Sequence, residues 1–560
     1  MAMLPELPPH VKDLSGVWQF AFVPGAQLEE LSPDKLSFTS YAPVPGCFDL
    51  LPGQWMRRGT GVYRTTVEAG GPVELCCDGL GLRGDFFWDG KKIGSCAIPF
   101  SSTKLSFEAG EKGSHDLMIA VCNIIDDTPA SPFKSNYDFY AHGGIYRKVT
   151  IAPRAAFAVK FLKVIPLVPE EGKVRVSLCF SGDTAQLEKG TLLFDTSSEP
   201  VAFNISNGEA CFEAQVPSPR IWSPESPELH TVTVTVNGQS FTASFGLRTI
   251  AVKEGKLLLN GKELKIAGVN RHDCHPDFGY AIPYPLQLKD LLMLKEKGFN
   301  CIRGCHYPQS EEFLTMCDKM GMLIWEESLA WGNKEADLAD PLFCEHQLQQ
   351  AEELVYKSFN HPSVIMWGFL NECASETDAA RTLIENLVRL FRSLDPSRPI
   401  TFGGNRVKND ICLDLVDIIS FNVYPCWYGG NTEQFMDPAF LNSYLQDLAD
   451  FASSPEYRSK ALIISEIGAE AIPGDHSGMR WSEEYQAELL GTTMRHVLDS
   501  DRYTGTFLWQ YCDTRTYISN TCQYRSGGFN HKGMVDGNRN VKLSFKEVGK
   551  IIKEYFSKQN

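Results

Sequence analysis

Two acids carry the strongest chemical signal in the chain. Glu372 closes the run SVIMWGFLNE and Glu466 lies inside ALIISEIGAE, each one polar residue beyond a run of four or more apolar residues. A carboxylate at such a place is expected to be buried, and an unpaired buried charge is costly, so each needs a partner or a task. Taken singly, either glutamate suits a helix cap or an ion pair as well as catalysis. Taken together, two carboxylates facing each other across a sugar meet the needs of glycoside cleavage: one gives and takes a proton while the other attacks carbon or steers water. Further polar side chains stand at the ends of apolar runs: His306, Glu326, Glu327, Asn371, Asn422, Tyr424 and Trp509. Trp427, Tyr428, Tyr424 and Trp509 offer flat apolar faces on which sugar rings stack, although each also suits a packed core.

The elements that must position these groups follow from hydrophobic period. After about residue 251, strand-like and amphipathic helical runs alternate over 560 − 250 = 310 residues. The runs 264–270, 299–305, 322–328, 364–371, 400–404, 418–424, 461–468 and 504–511 predict strands, with helices such as AARTLIENLVRLFRSL between most of them. The final helical run FKEVGKIIKEYF puts Phe545, Val548, Ile552, Tyr555 and Phe556 on one face. Eight βα units of this length predict a C-terminal (β/α)8 TIM barrel over 251–560, with its chemistry at the C-terminal ends of the strands. Strands four and seven lie on opposite sides of such a mouth, which sets Glu372 against Glu466. Upstream, short alternating runs broken by Gly and Pro predict an N-terminal jelly-roll β-sandwich over 1–152 and an immunoglobulin-like β-sandwich over 153–250.

Composition narrows the partners. At 560 residues the chain exceeds one hydrophobic core, and 43% hydrophobic with 22% charged residues leaves no room for large disordered tracts. The balance 53 − 69 = −16 disfavours a nonspecific grip on nucleic acid or an anionic bilayer. No run of 18 or more apolar residues occurs, and the opening MAMLPELPPHVKDLSG lacks the pattern of a secretory signal. The expectation is a soluble cytoplasmic protein with a small-molecule or saccharide partner, and with neither nucleic acid nor membrane. Seventeen cysteines, an odd number without a CxxC pair, fit reduced thiols; HExxH and P-loop patterns are missing too, so neither metal nor organic cofactor is expected.

At the level of motifs, NRHDCHP, RGCHYP, NHPSVIMWGFLNE and ISEIGAE resemble the barrel of glycoside hydrolase family 2, and WSPESPELH resembles the segment closing that family's middle sandwich. The resemblance runs over essentially the whole chain. It implies Glu372 as acid/base, Glu466 as nucleophile, Asn371 on the sugar 2-hydroxyl and Tyr424 beside the nucleophile. Asn530 and Lys532 in GGFNHKGMVDG match the Asn-x-Lys pair that β-glucuronidases of the family use on the substrate carboxylate. By itself, a lysine in a Gly-rich loop is a solvated surface charge. His306 resembles the family's sugar-binding histidine, and Asn422, Tyr424, Trp427 and Tyr428 its strand-six aromatic loop. Asp138 in NYDFYAHGGIYR resembles the acid lent by the N-terminal domain, though a loop-capping role accounts for it equally.

What the resemblance implies is a retaining exo-β-glucuronidase working through a covalent glycosyl-enzyme without a cofactor, as a dimer or tetramer, on a small-molecule or oligosaccharide glucuronide. A β-galacturonidase or β-galactosidase of the same family, and a noncatalytic carbohydrate-binding protein on the same fold, stay open as alternatives. Retention predicts carboxyl groups about 5–5.5 Å apart and a raised pKa for Glu372. The segment SLAWGNKEADLADPLF is short, without the long insertion that some bacterial relatives place over the mouth, so longer saccharides are expected to be handled better than small drug-like glucuronides.

Overall fold

The structure, a computed structural model, describes residues 7–428, 436–516 and 525–559. The barrel strands are β1 (Ile266–Arg271), β2 (Cys301–Gly304), β3 (Leu323–Glu327), β4 (Val364–Gly368), β5 (400–404), β6 (Ile418–Asn422), β7 (Ala461–Ile467) and β8 (Gly505–Leu508). Each runs parallel to its neighbour, and β8 returns to β1 to close the ring. β5 is split: Ile400–Thr401 pairs with β4 and Gly403–Gly404 with β6. All eight expected strands form. Every residue of β3, β4, β6 and β7 is buried, as strands covered by helices outside and by packed side chains inside must be. The covering helices follow their sequence signals. In Asp378–Leu394 the Thr377 hydroxyl accepts from the Ala380 N–H, and Ala380, Leu383, Ile384, Leu387 and Phe391 form the buried face.

Upstream of the barrel the chain is antiparallel β. A six-stranded sheet centred on Gly59–Ala69 and Gly113–Cys122 faces a four-stranded sheet centred on Val149–Pro153 and Pro72–Cys77, around a shared apolar core. A second core lies between the sheet holding Phe157–Val168 and the one holding His230–Val236. In HTVTVTV the alternation is strict: Val232, Val234 and Val236 point inward and the threonines between them outward.

The two sandwiches grip opposite ends of the barrel. Trp222, from WSPESPELH, is fully buried and donates its indole N–H to the Asp318 carbonyl at 2.9 Å. It joins a cluster with Leu257, Cys301, Leu323 and Phe507, which plugs the N-terminal end of the barrel. At the other end, Phe100 of the first sandwich stacks on Tyr307, with ring centroids 3.9 Å apart and planes 6° from parallel. Tyr307 follows His306 directly behind β2, so this docking reaches the mouth where the candidate residues gather.

Candidate active site

Arg303, the first residue of RGCHYP and part of β2, is fully buried and organises the mouth. Its Nε donates to Glu327 Oε2 at 2.7 Å and its Nη2 to Glu327 Oε1 at 3.0 Å, a two-pronged pairing. Its Nη1 donates to Glu466 Oε1 at 2.8 Å and Nη2 to Asn371 Oδ1 at 2.7 Å. The guanidinium lies over the Trp325 ring, 4.5 Å from its centroid. One cation on β2 therefore ties β3, β4 and β7 together. The Tyr424 hydroxyl donates to Glu466 Oε2 at 2.7 Å, so both oxygens of that carboxylate are held. Asn422 Nδ2 donates to Glu372 Oε1 and to Asn371 Oδ1, each at 2.9 Å, and its own Oδ1 accepts from Ser465. Asn371 Nδ2 is buried and has no partner within the protein.

Glu372 lies on a turn the backbone resists. Leu370 and Glu372 adopt left-handed φ values of 47° and 52°, and the Glu372 N–H donates to the Gly403 carbonyl at 2.8 Å. Such conformations cost about 1–2 kcal/mol for a non-glycine residue and collect at functional sites. Electrostatics then separates the two acids. Burial, reinforced by the negative Glu466, pushes the Glu372 carboxyl up to about 8. Burial also raises Glu466, to about 7, against the lowering pull of Arg303 and Tyr424. Glu466, with a guanidinium and a phenol as donors, is the better home for negative charge, and Glu372 the better home for the proton.

A second cluster surrounds the loop after β8. Lys532 is only 1% exposed; its Nζ donates to the Tyr428 hydroxyl at 2.7 Å and to Glu470 Oε1 at 3.1 Å. Asn530 Nδ2 donates to Asp138 Oδ2 at 3.2 Å, and Arg525 Nη2 donates to the same oxygen at 2.8 Å. His531, between the two matched residues, turns away to Asp513 at 2.9 Å and leaves Asn530 and Lys532 on one side. The clusters meet through Tyr424 and Tyr428, whose ring centroids are 5.3 Å apart, and through the Lys532 ammonium 5.9 Å from the Tyr424 centroid. Trp509 stacks on His306 at 5.4 Å and stands edge-on to His272 at 5.5 Å.

Eleven of the residues singled out from the sequence therefore fall in this one region: Glu372, Glu466, Asn371, Asn422, Tyr424 and His306 around Arg303, Trp509 against His306, and Asp138, Tyr428, Asn530 and Lys532 around the last loop; Trp427 joins them 5.8 Å from the Lys532 ammonium, and Glu326 lies outside. Lys532 is buried and paired rather than solvated. Sequence reasoning passed over three groups, Arg303, Glu470 and Arg525, and left a fourth, Glu327, undistinguished from its neighbour. Arg303 was legible as a cation inside an apolar strand. Glu327 stood beside Glu326, and only the strand pleat separates them: Glu327 faces Arg303, whereas Glu326 faces outward to the Gln309 N–H and Ser358. Glu470, the last residue of ISEIGAE, and Arg525 were not singled out, since only the folded loop brings them to Lys532 and Asp138.

Two β-sandwiches fixed to a parallel barrel, with paired glutamates at its mouth, define a class of carbohydrate-handling architecture. The chain belongs to glycosyl hydrolases family 2: the family's TIM barrel domain matches residues 250–555 and a second family 2 domain matches residues 169–248. Among its relatives, the β-glucuronidase of Mus musculus is 31% identical over 428 residues, covering 73% of this chain and 64% of that protein. The chain thus spans just under two thirds of the length of that relative. A β-galacturonidase from Eisenbergiella tayi, solved with galacturonate bound, is 30% identical with a TM-score of 0.88 and 97% of both chains covered. The β-glucuronidase of Bifidobacterium dentium, complexed with coumarin-3-O-glucuronide, is 22% identical with a TM-score of 0.87 over 98% of both chains, and shares the fold.

Proposed function

We propose that the chain is a retaining exo-β-glucuronidase, with Glu466 as nucleophile and Glu372 as acid/base. The observation that carries this reading is the buried Lys532–Asn530 pair beside the two glutamates. An ammonium held at 3.1 Å by Glu470 and an amide held at 3.2 Å by Asp138 offer an acidic sugar a preformed charged and hydrogen-bonding corner. In this reading Glu466 attacks the anomeric carbon while Glu372 protonates the departing oxygen; Glu372 then takes a proton from the water that releases the sugar. The free Nδ2 of Asn371 is placed to donate to the 2-hydroxyl. His306, with burial holding its imidazole well below the usual value, acts as a neutral hydrogen-bonding group, and Trp509 as a stacking face.

A second reading, β-galacturonidase, draws on the Eisenbergiella tayi enzyme, similar along the whole chain. Both sugars carry the carboxylate, and the 4-hydroxyl distinguishes them. Longer saccharide glucuronides are the favoured substrates, because the segment between β3 and the helix Pro341–Ser358 holds only the one-turn helix Glu335–Leu338. The described cysteines are all free thiols, in keeping with a cytoplasmic location. Hydrolysis of matched p-nitrophenyl β-D-glucuronide, galacturonide and galactoside, with Glu466→Ala as blank, tests the assignment. Preference for the glucuronide, lost in the variant, with the β-anomer released first by NMR, is the expected result. Preference for the galacturonide selects the second reading, and release of the α-anomer overturns Glu466 as nucleophile.

A further inference from the structure

Three donor atoms at the floor of the mouth stand together. His272 Nε2 and His306 Nε2 are fully buried, and neither makes a hydrogen bond within the protein. Cys305 is buried beside them, and His272, Cys305 and His306 each bring one donor atom within 4.8 Å of the other two. Buried polar atoms without partners are rare, because each costs ~1–3 kcal/mol of desolvation, so they point to something that binds them. Imidazole nitrogens alone would suit sugar hydroxyls. A thiol, weak both as donor and as acceptor, adds little to that task, but two imidazoles and a sulfur are a ligand set that zinc favours.

The surroundings fit a metal as well. Both hydrogens of Arg303 Nη2 are engaged by Glu327 and Asn371, so the 2.9 Å contact between His306 Nδ1 and Glu327 Oε1 has the imidazole as donor. That assignment leaves the lone pair on Nε2, the carboxylate–histidine arrangement that orients metal ligands. His272 Nδ1 meets the Tyr307 hydroxyl at 3.3 Å, and that hydroxyl accepts from the Asp273 N–H at 2.9 Å. Glu466 Oε1 lies 3.8 Å from His306 Nε2 and borders the three-residue cluster without joining it. Charge closes the argument. Arg303 set against Glu327 and Glu466 leaves one negative charge, a Cys305 thiolate adds a second, and a divalent ion cancels both.

We propose that His272, Cys305 and His306 form a binding site for Zn2+ or a similarly soft divalent cation, and that ion and sugar exclude each other because both need His306. The exclusion rests on the functional reading given above; the metal site does not. Chelator-treated protein titrated with Co2+ tests the site optically. A thiolate-to-cobalt charge-transfer band that saturates at one equivalent and is bleached by Zn2+ is expected. Calorimetry should show Zn2+ affinity falling at least tenfold in Cys305→Ala, or in Cys305→Ser where the first variant does not fold. Absence of the band in the unaltered protein, or unchanged Zn2+ affinity in the soluble variant, overturns the proposal. Zn2+ should also raise KM for the uronide while kcat stays constant; inhibition with KM unchanged overturns the exclusion. A cobalt band without uronide turnover would defeat the functional reading and leave the site standing, whereas turnover without the band would defeat the site alone.

Discussion

Under the proposed function, Lys532 is the side chain on which the choice of sugar turns. If its ammonium pairs with a desolvated carboxylate, Lys532→Ala costs roughly 2–5 kcal/mol of kcat/KM on uronides and little on neutral galactosides. Equal losses on both would make the lysine a structural partner of Glu470. With Glu372 as the proposed acid, activity needs it protonated, so kcat/KM should fall on the alkaline side as pH rises through about 8, and a pH profile with p-nitrophenyl glucuronide checks the limb. The same shift acts on stability, with a definite sign. Between the ordinary value of 4.5 and about 8 the folded protein keeps a proton that the unfolded chain has released, so wild-type stability drops as pH rises through that window. Glu372→Gln, which cannot ionise, should therefore denature at higher temperature than wild type at pH 8, with the gap narrowing toward pH 4.5. A constant gap would mean that Glu372 is not held protonated by its surroundings.

At the scale of elements, β5 shows how a backbone makes room for chemistry. A Cβ on Gly403 would come within 2.7 Å of Asn371 Oδ1, 2.9 Å of Arg303 Nη2 and 3.0 Å of Asn422 Oδ1. Gly403→Ala should keep the far-UV circular dichroism of wild type and lose about 100-fold in kcat, since displacement by about 1 Å of groups that hold both glutamates has that scale of effect. Near-native turnover would show that the Arg303 network does not control the acids. The eight strands were legible from the sequence because burial on both faces writes continuous apolar runs. The left-handed turn at Leu370 and Glu372 was not, since φ leaves no trace in residue type when neither position is glycine.

For the whole molecule, the question is why two sandwiches accompany the barrel. Asp138, from the first sandwich, accepts from Arg525 and Asn530 of the barrel, so one corner of the mouth is built by two domains. Phe100 secures that junction between Tyr307 and Tyr280, the latter at 5.0 Å between centroids. Phe100→Ala should cost about 3–5 kcal/mol, lower the first thermal transition in calorimetry and reduce turnover by loosening His306 behind Tyr307. Lost stability with unchanged kcat would separate the docking from the site.

Residue types and their periods determined the architecture, the eight barrel strands and the glutamate pair, because burial, pleat and helical period act locally and are written in order along the chain. Tertiary structure alone decided what those residues meet: that Arg303 holds Glu327, Asn371 and Glu466 at once, that Glu470 and Arg525 reach Lys532 and Asp138, and that His272 lies beside Cys305 and His306. Those contacts join segments far apart in sequence, and the distance between two side chains on different strands is set by barrel closure and domain docking, which no local pattern records.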